Sequence, residues 1–327
     1  MAKDEVASSG ARAAIVPPKN IVAVALGPNR DKDINSANDA SDVRPYVAGL
    51  ITGLAARNKT IGTTADYVIK FRQRPESDLT DPATFTIAGN QPDAIFCMST
   101  SVAWAAANFS STIPIVAVVS DPSGSGVDAD NICGVSGKRT QFADKYLDRF
   151  ISSVPSLTKV YLLHKQGYSP ALDGLRKIQE GETAVDIELV NVRGPGQIAN
   201  KINAMTSNVQ GQPVTNGILV LPADLFFGAA AQIASLAHAK RLPDFWPVTD
   251  NVLADGSGTF GGWGVPQNKC GQMMGAQFPD IWAGAVTYPK PRFDRVVPKD
   301  FVWRVSSAVA QACGATLGSD PRMKVVP

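Results

Sequence analysis

The chain repeats one pattern through most of its length: a short, almost continuous apolar run, then a stretch with helical spacing. Residues 20–26 form the first such run, and residues 93–98, 113–119 and 217–221 repeat it. Each run is followed by a polar turn and then by apolar residues three and four positions apart. Strands that alternate with helices and are apolar on both faces are typical of a parallel sheet covered by helices on both sides.

The same pattern restarts after residue 120, which favours two lobes over one large sheet. A chain of 327 residues can supply two lobes of roughly 100–200 residues each. We therefore predict an α/β protein built from two Rossmann-like lobes with parallel sheets. The expected organisation is a flexible tail over residues 1–19, a first lobe over residues 20–120 plus about 251–288, and a second lobe over residues 121–250 plus about 289–327.

Composition and charge exclude several classes of function. The chain is 44% apolar and 18% charged, which is typical of a globular protein and not of a disordered one. The net charge is +2 and no run of lysine or arginine is present, so nucleic acid is not an expected partner. No apolar stretch reaches the roughly 20 residues of a membrane helix, so no direct membrane insertion is expected. The sequence leaves the oligomeric state open.

Catalytic, metal and cofactor motifs are missing from the sequence. The four cysteines show no CxxC spacing and the two histidines have no partner at zinc spacing, so no metal site is expected. The first strand is followed by Gly27-Pro28-Asn29 and not by the GxGxxG turn of a dinucleotide site. We predict a binding protein that is not an enzyme, with no catalytic residues and no cofactor.

Polar side chains follow several of the predicted strands, at the point where each strand ends. In open parallel sheets, ligands bind outside the carboxyl ends of the strands. The residues at these exits are short hydroxyls and single carboxylates, with one histidine and one tyrosine. The candidate ligand-binding residues are Ser99, Thr100, Ser101, Ser120, Asp121, His164, Tyr168, Asp224 and Asp250.

The hydroxyl run 99–101 is the most informative of these exits because a helix begins there. Backbone N–H groups and hydroxyls at a helix N-terminus can receive a carboxylate, although the run could also be a plain helix cap. We expect Thr100 and Ser101 to bind an anionic group of the ligand. Asp121 or Asp224 would bind a cationic group, and either could instead be a turn former. His164 could contact the ligand or make a structural hydrogen bond.

The segment from Ile113 to Gly137, IPIVAVVSDPSGSGVDADNICGVSG, resembles ABC-transporter substrate-binding proteins of the tryptophan/tyrosine-binding type. The motifs are the Ile-Pro-Ile-Val strand, the Ser-Asp-Pro turn at 120–122 and the Asn-x-x-Gly-Val-Ser stretch at 131–136. The resemblance implies the type I periplasmic-binding-protein fold, with an amino acid or similar small molecule between the lobes and an ABC permease as partner. By position, residues 99–101, 120 and 121 fall on the first-lobe side of that ligand and Asp224 on the second.

The expected function is therefore a solute-binding protein that captures a small polar, amino-acid-like molecule for an ABC-type importer. One alternative is a cytoplasmic scaffold, assembly or sensor subunit that kept the fold without transport. Another is a racemase-like enzyme, for which only His164 with Asp121 could supply an acid/base pair. Residues 1–20 lack the apolar core of a secretory leader. We expect a periplasmic location if a leader was removed, and a cytoplasmic one if the chain is complete as written.

Overall fold

The computed structural model describes residues 19–35, 39, 44–61, 66–119, 127, 129–136, 142–167, 174–176, 178, 185–253, 255–282, 292–295 and 300–327. Over these ranges the chain forms two seven-stranded sheets. Each sheet has an apolar core on both of its faces. The predicted α/β architecture of two lobes with largely parallel sheets is confirmed.

The first sheet defines the first lobe and has the strand order β12-β6-β5-β4-β1-β3-β2. Its neighbouring strands are parallel except for β2, which runs antiparallel to β3 at one edge. Its strands are β1 (Lys19–Leu26), β2 (Arg30–Ile34), β3 (Tyr67–Arg74), β4 (Ala94–Cys97), β5 (Ile115–Val119), β6 (Ile132–Ser136) and β12 (Arg292–Arg295).

The second sheet defines the second lobe and has the order β14-β13-β11-β10-β9-β7-β8. Only the pair β11 and β13 is antiparallel. Its strands are β7 (Lys159–Lys165), β8 (Asp186–Val192), β9 (Asn216–Val220), β10 (Asp244–Trp246), β11 (Gly261–Gly264), β13 (Val302–Ser306) and β14 (Met323–Val326).

Helices cover both sheets. They are α1 (Pro45–Ala55), α2 (Thr100–Phe109), α3 (Ala143–Ser153), α4 (Ile198–Asn203), α5 (Asp224–Gly228), α6 (Ala230–Ala239), α7 (Gln267–Gly275), α8 (Phe278–Trp282) and α9 (Ser307–Cys313). Short 3₁₀ turns lie at Glu76–Thr80, Pro82–Phe85 and Pro195–Gln197.

The two sheets divide the chain differently from the expected lobe boundaries at three strands. β6 and β12 belong to the first sheet, and β11 belongs to the second. β6 joins the first sheet because it pairs in parallel with β5, from Ile115 opposite Ile132 to Val119 opposite Ser136. β11 joins the second because it pairs in parallel with β10 and antiparallel with β13. The chain therefore passes between the lobes after β6, after β11 and after β12.

The strand β1 lies inside the sheet and is apolar at every position from Ile21 to Leu26. Ile21, Ala23 and Ala25 pack into the core on one face of the sheet. Val22 and Val24 pack into the core on the other face. All five are at most 4% exposed, which matches a strand that helices cover from both sides.

α1 and α7 pack together through glycines on both helices. A Cβ atom at Gly49 of α1 would lie 2.0 Å from the carbonyl oxygen of Asn268 on α7. A Cβ atom at Gly271 of α7 would lie 2.1 Å from the carbonyl oxygen of Tyr46 on α1. Gly53 and Gly275 repeat this arrangement one turn further along each helix. The two backbones therefore touch at a distance that any larger side chain would prevent.

Aromatic side chains cluster where the chain passes between the lobes. Trp263 stacks on Phe301 with ring centroids 4.4 Å apart, and Phe142 meets both rings edge-on at 5.8 and 5.2 Å. Tyr146 adds a further edge contact to Trp263 at 5.6 Å. Each of the three passages contributes one ring of this hinge cluster, because Phe142, Trp263 and Phe301 lie beside the three connections in turn.

We predict that Gly271→Ala lowers the free energy of unfolding by roughly 1–3 kcal/mol or more, the range of overpacking substitutions. The added methyl group would press on the carbonyl of Tyr46, and a backbone atom held in a helix cannot move aside easily. Urea unfolding followed by circular dichroism measures the change.

The matched control is Gly196→Ala, since a Cβ atom at Gly196 has no neighbour within 4 Å. This variant should unfold at nearly the same urea concentration as the wild type. Equal stability of the two alanine variants would contradict the close packing of α1 and α7.

Candidate functional site

A cleft lies between the carboxyl ends of strands in the first sheet and the helix α5 of the second lobe. The centres of water-sized molecules can occupy about 60 Å³ of this cleft, within about 600 Å³ of space that includes open solvent. The described lining residues are Ala25, Leu26, Arg44, Tyr46, Met98, Ser99, Thr100, Val118, Val119, Asp224, Phe227, Gly228 and Gln267. The lining combines one guanidinium, one carboxylate, hydroxyls and an amide with apolar walls, which suits a small polar molecule.

The three hydroxyl residues at 99–101 have three different roles. Ser99 has an extended backbone, and its Oγ accepts a hydrogen bond from the N–H of Val102 at 3.3 Å. Ser99 is therefore the helix cap that one interpretation of the sequence expected. Thr100 is 8% exposed and lines the cleft. Ser101 Oγ reaches across the cleft and donates to Asp224 Oδ2 at 2.7 Å.

Asp224 is the first residue of α5 and faces the first lobe. Burial raises the pKa of Asp224 above the value of an ordinary aspartate. The hydrogen bonds from Ser101 oppose this rise and the charge of Glu76 adds to it. Burial is the largest of these effects, so the hydrogen bonds offset only part of the cost of desolvating the carboxylate.

A second polar contact joins the lobes at the first 3₁₀ turn. Lys165 Nζ, at the end of β7, lies 3.6 Å from Glu76 Oε1. Exposed ion pairs of this kind contribute little to stability, typically about 0–1 kcal/mol. The contact therefore marks where the lobes meet without holding them firmly together.

His164 and Asp250 lie at strand ends, as the sequence predicts, but neither lines the cleft. His164 is 8% exposed, and burial lowers its pKa. Both carboxylate oxygens of Asp250 accept from the N–H of Gln267, at 3.1 and 3.0 Å. Asp250 therefore ties the end of β10 in the second lobe to the first residue of α7 in the first lobe. Ser120, Asp121 and Tyr168 lie outside the described residues.

Four polar or aromatic lining residues were not found by sequence reasoning. Arg44 and Tyr46 stand at the N-terminus of α1, Phe227 lies on α5, and Gln267 begins α7. For Arg44 a signal was available, because the following Pro45 is typical of a first helical position. Gln267 follows the glycine-rich stretch at 256–264, which gives no signal for a helix start.

The described residues contain no group of three or more histidine, cysteine or acidic side chains that could hold a metal ion. All four cysteines are buried. Burial raises the pKa of the Cys97 thiol, and it raises that of Cys313 to about 12. Such thiols are poor nucleophiles near neutral pH. In the part of the chain that the structure covers, no helix is both long and apolar enough to span a membrane.

Solved structures show the same fold as this chain. An ABC domain in complex with L-Trp from Streptococcus pneumonia has 16% identity and a TM-score of 0.68, with 94% of this chain and 100% of the other covered. An open, ligand-free substrate-binding protein with adhesive properties from Clostridium difficile has 17% identity and a TM-score of 0.56, with 94% and 99% covered. These likenesses confirm the type I periplasmic-binding-protein-like fold.

Regulators share this fold as well. A LacI family transcriptional regulator from Bifidobacterium animalis subsp. lactis has 11% identity and a TM-score of 0.51, with 94% of this chain and 98% of the other covered. No protein-family model and no curated protein matches the sequence. At these identities the likenesses show the fold alone, and the tryptophan-binding type expected from the central segment stays a prediction.

We predict that Asp224→Asn raises the free energy of unfolding near pH 7. The amide keeps an oxygen that can accept from Ser101, and it carries no charge into the cleft. The raised pKa means that the folded protein keeps this proton over a pH range above 3.8 in which the unfolded chain has lost it. The wild type therefore gains stability as pH falls through that range, and the advantage of the variant shrinks.

Urea unfolding near pH 7 and at about pH 4.5 measures both effects. The exposed carboxylate variant Asp186→Asn is the control, and near pH 7 its free energy of unfolding should stay within about 0.5 kcal/mol of the wild type. A variant Asp224→Asn that is less stable than the wild type near pH 7 would contradict the prediction.

Proposed function

We propose that the chain is a solute-binding protein that captures a small polar, amino-acid-like molecule between its lobes and delivers it to an ABC-type importer. The single observation that carries the proposal is the cleft in which both lobes meet. Asp224 of the second lobe faces the start of α2 in the first, and Ser101 bridges the gap. A ligand bound there would contact both lobes and favour their closed arrangement.

The chemistry of the lining supports an amino-acid-like ligand. Arg44 and Asp224 carry opposite charges, and the described ion pairs do not link them. Tyr46 and Phe227 supply aromatic surface for an apolar side chain. The Streptococcus protein of the same fold is in complex with L-Trp, which is consistent with this ligand class. The likeness to a LacI family regulator favours a sensor subunit as the second candidate.

The lining also supports binding without catalysis. No histidine and no cysteine occurs among the described lining residues, and Asp224 is the one carboxylate there. General acid–base catalysis on both faces of a substrate needs two such groups within reach of the reacting atom. His164, the base that the racemase alternative requires, is not among the residues that line the cleft. We propose that the protein is not an enzyme.

A thermal-shift screen of the purified protein against amino acids, small carboxylates, sugars and nucleosides tests the proposal. A ligand present at 100 times its Kd adds about 2.7 kcal/mol to the stability of the folded state, which raises the melting temperature by several degrees. We expect a shift with amino acids and none with nucleosides. A screen without any shift would contradict the solute-binding function.

Thr100→Val tests whether the bound molecule occupies this cleft. Valine keeps the shape of threonine and removes the hydroxyl of a residue that lines the cleft. We expect the affinity for the ligand found in the screen to fall by about fivefold or more, which corresponds to the loss of one hydrogen bond of roughly 1 kcal/mol. Isothermal titration calorimetry measures the change.

Thr158→Val is the matched control, since Thr158 is an exposed threonine outside the cleft lining. Its affinity should equal that of the wild type. An unchanged affinity in Thr100→Val would exclude this cleft as the ligand site.

A further inference from the structure

The guanidinium of Arg44 occupies an unusual position in the cleft. Arg44 lies directly before the first residue of α1, and its Nη2 donates to the carbonyl oxygen of Leu26 at the end of β1, at 3.2 Å. In the part of the chain that the structure describes, no carboxylate pairs with this side chain. Arg44 nevertheless lines the cleft, so its charge faces the space that a ligand would fill.

The surroundings of Arg44 oppose its positive charge. Burial has the largest effect and lowers the pKa of the guanidinium, the neighbouring Tyr46 raises it, and the charge of Arg30 lowers it. The first turn of α1 contains no acidic residue, and none of the described side chains caps its N-terminus. A helix N-terminus carries a partial positive charge, which disfavours a cation placed beside it. Because arginine stays protonated in proteins, this unfavourable charge persists in the empty cleft.

Asp224 does not neutralise the positive charge of Arg44. It belongs to the opposite lobe, and its Oδ2 accepts the hydroxyl of Ser101. Arg44 does not contribute to the shifted pKa of Asp224, and the two side chains make no ion pair. The cleft thus presents a cation on the first lobe and an anion on the second, each without a charged partner among the described residues.

We infer that Arg44 binds the anionic group of the ligand, an inference that rests on the proposed solute-binding function. An incoming carboxylate would supply the missing negative charge and accept a charge-assisted hydrogen bond from the guanidinium. The sequence had assigned this role to Thr100 and Ser101. Ser101 already donates to Asp224. Thr100 would make an uncharged contact with the ligand beside Arg44.

This assignment makes the anionic group a requirement for binding. A ligand without one would cover Arg44 and leave a desolvated cation without a partner. An amino acid can satisfy both ends of the cleft, with its carboxylate at Arg44 and its ammonium group at Asp224. Its α-amide or the corresponding amine would satisfy only Asp224.

Matched pairs of probes test the requirement: L-tryptophan against L-tryptophanamide and tryptamine, and L-leucine against L-leucinamide, extended to the acid and amide of any amino acid found in the screen. Calorimetric titration of the wild type should show the acid binding about 10- to 100-fold more tightly than its amide. Arg44→Gln should reduce this preference to less than about threefold. Glutamine can still donate to the carbonyl of Leu26, and circular dichroism verifies that the variant folds.

Arg30→Gln is the matched control, because Arg30 is an exposed arginine near Arg44 that does not line the cleft. It should keep the full preference for the acid. Equal binding of acid and amide to the wild type would overturn the role of Arg44 and leave the solute-binding function intact. If the Arg44→Gln variant keeps the preference for the acid, the role of Arg44 is likewise overturned and the solute-binding function stands. If no acid, amide or amine binds, the proposed function fails together with the inference.

Discussion

The close contact between α1 and α7 is the constraint on which the geometry of the cleft depends. The chain enters α7 directly after it has left the second sheet, and the glycines at 49 and 271 let this helix dock against α1 backbone to backbone. The N-termini of both helices reach the same cleft and bring Arg44, Tyr46 and Gln267 to its wall. A side chain at either glycine would push the helices apart and move all three residues.

The contacts between the lobes differ in kind at the two ends of the cleft. Near the passages between the lobes, the hinge cluster of Phe142, Tyr146, Trp263 and Phe301 is apolar and densely stacked. Across the cleft the contacts are polar, a hydroxyl to Asp224 and the ion pair of Lys165 with Glu76. Water can replace polar contacts at little cost, whereas separating aromatic rings exposes apolar surface. This asymmetry favours opening of the cleft about the hinge cluster.

Sequence reasoning predicted the parts of the fold that burial dictates. The continuous apolar run of β1 could only be a covered strand, and Ser101 and Asp224 were found because parallel strands end at one edge. β2, with the sequence RDKDI, was missed since it is a polar edge strand stabilised by antiparallel pairing with β3. β11, with the sequence GGWG, was missed since its glycines serve close approach to β10 and resemble a loop. Both β2 and β11 form because of tertiary contacts, which the local sequence pattern does not reveal.

The same reasoning explains why Ser101 was found and Arg44 was not. A hydroxyl at a helix start is a local signal. The role of Arg44 instead follows from its tertiary surroundings, where none of the described carboxylates pairs with its guanidinium. Burial disfavours the charges of Asp224 and Arg44, and the described residues leave each without a charged partner. Pairing them with each other would remove both costs, yet the fold holds them on opposite lobes. Under the proposed function, a molecule that carries both complementary groups would offset the cost of both charges.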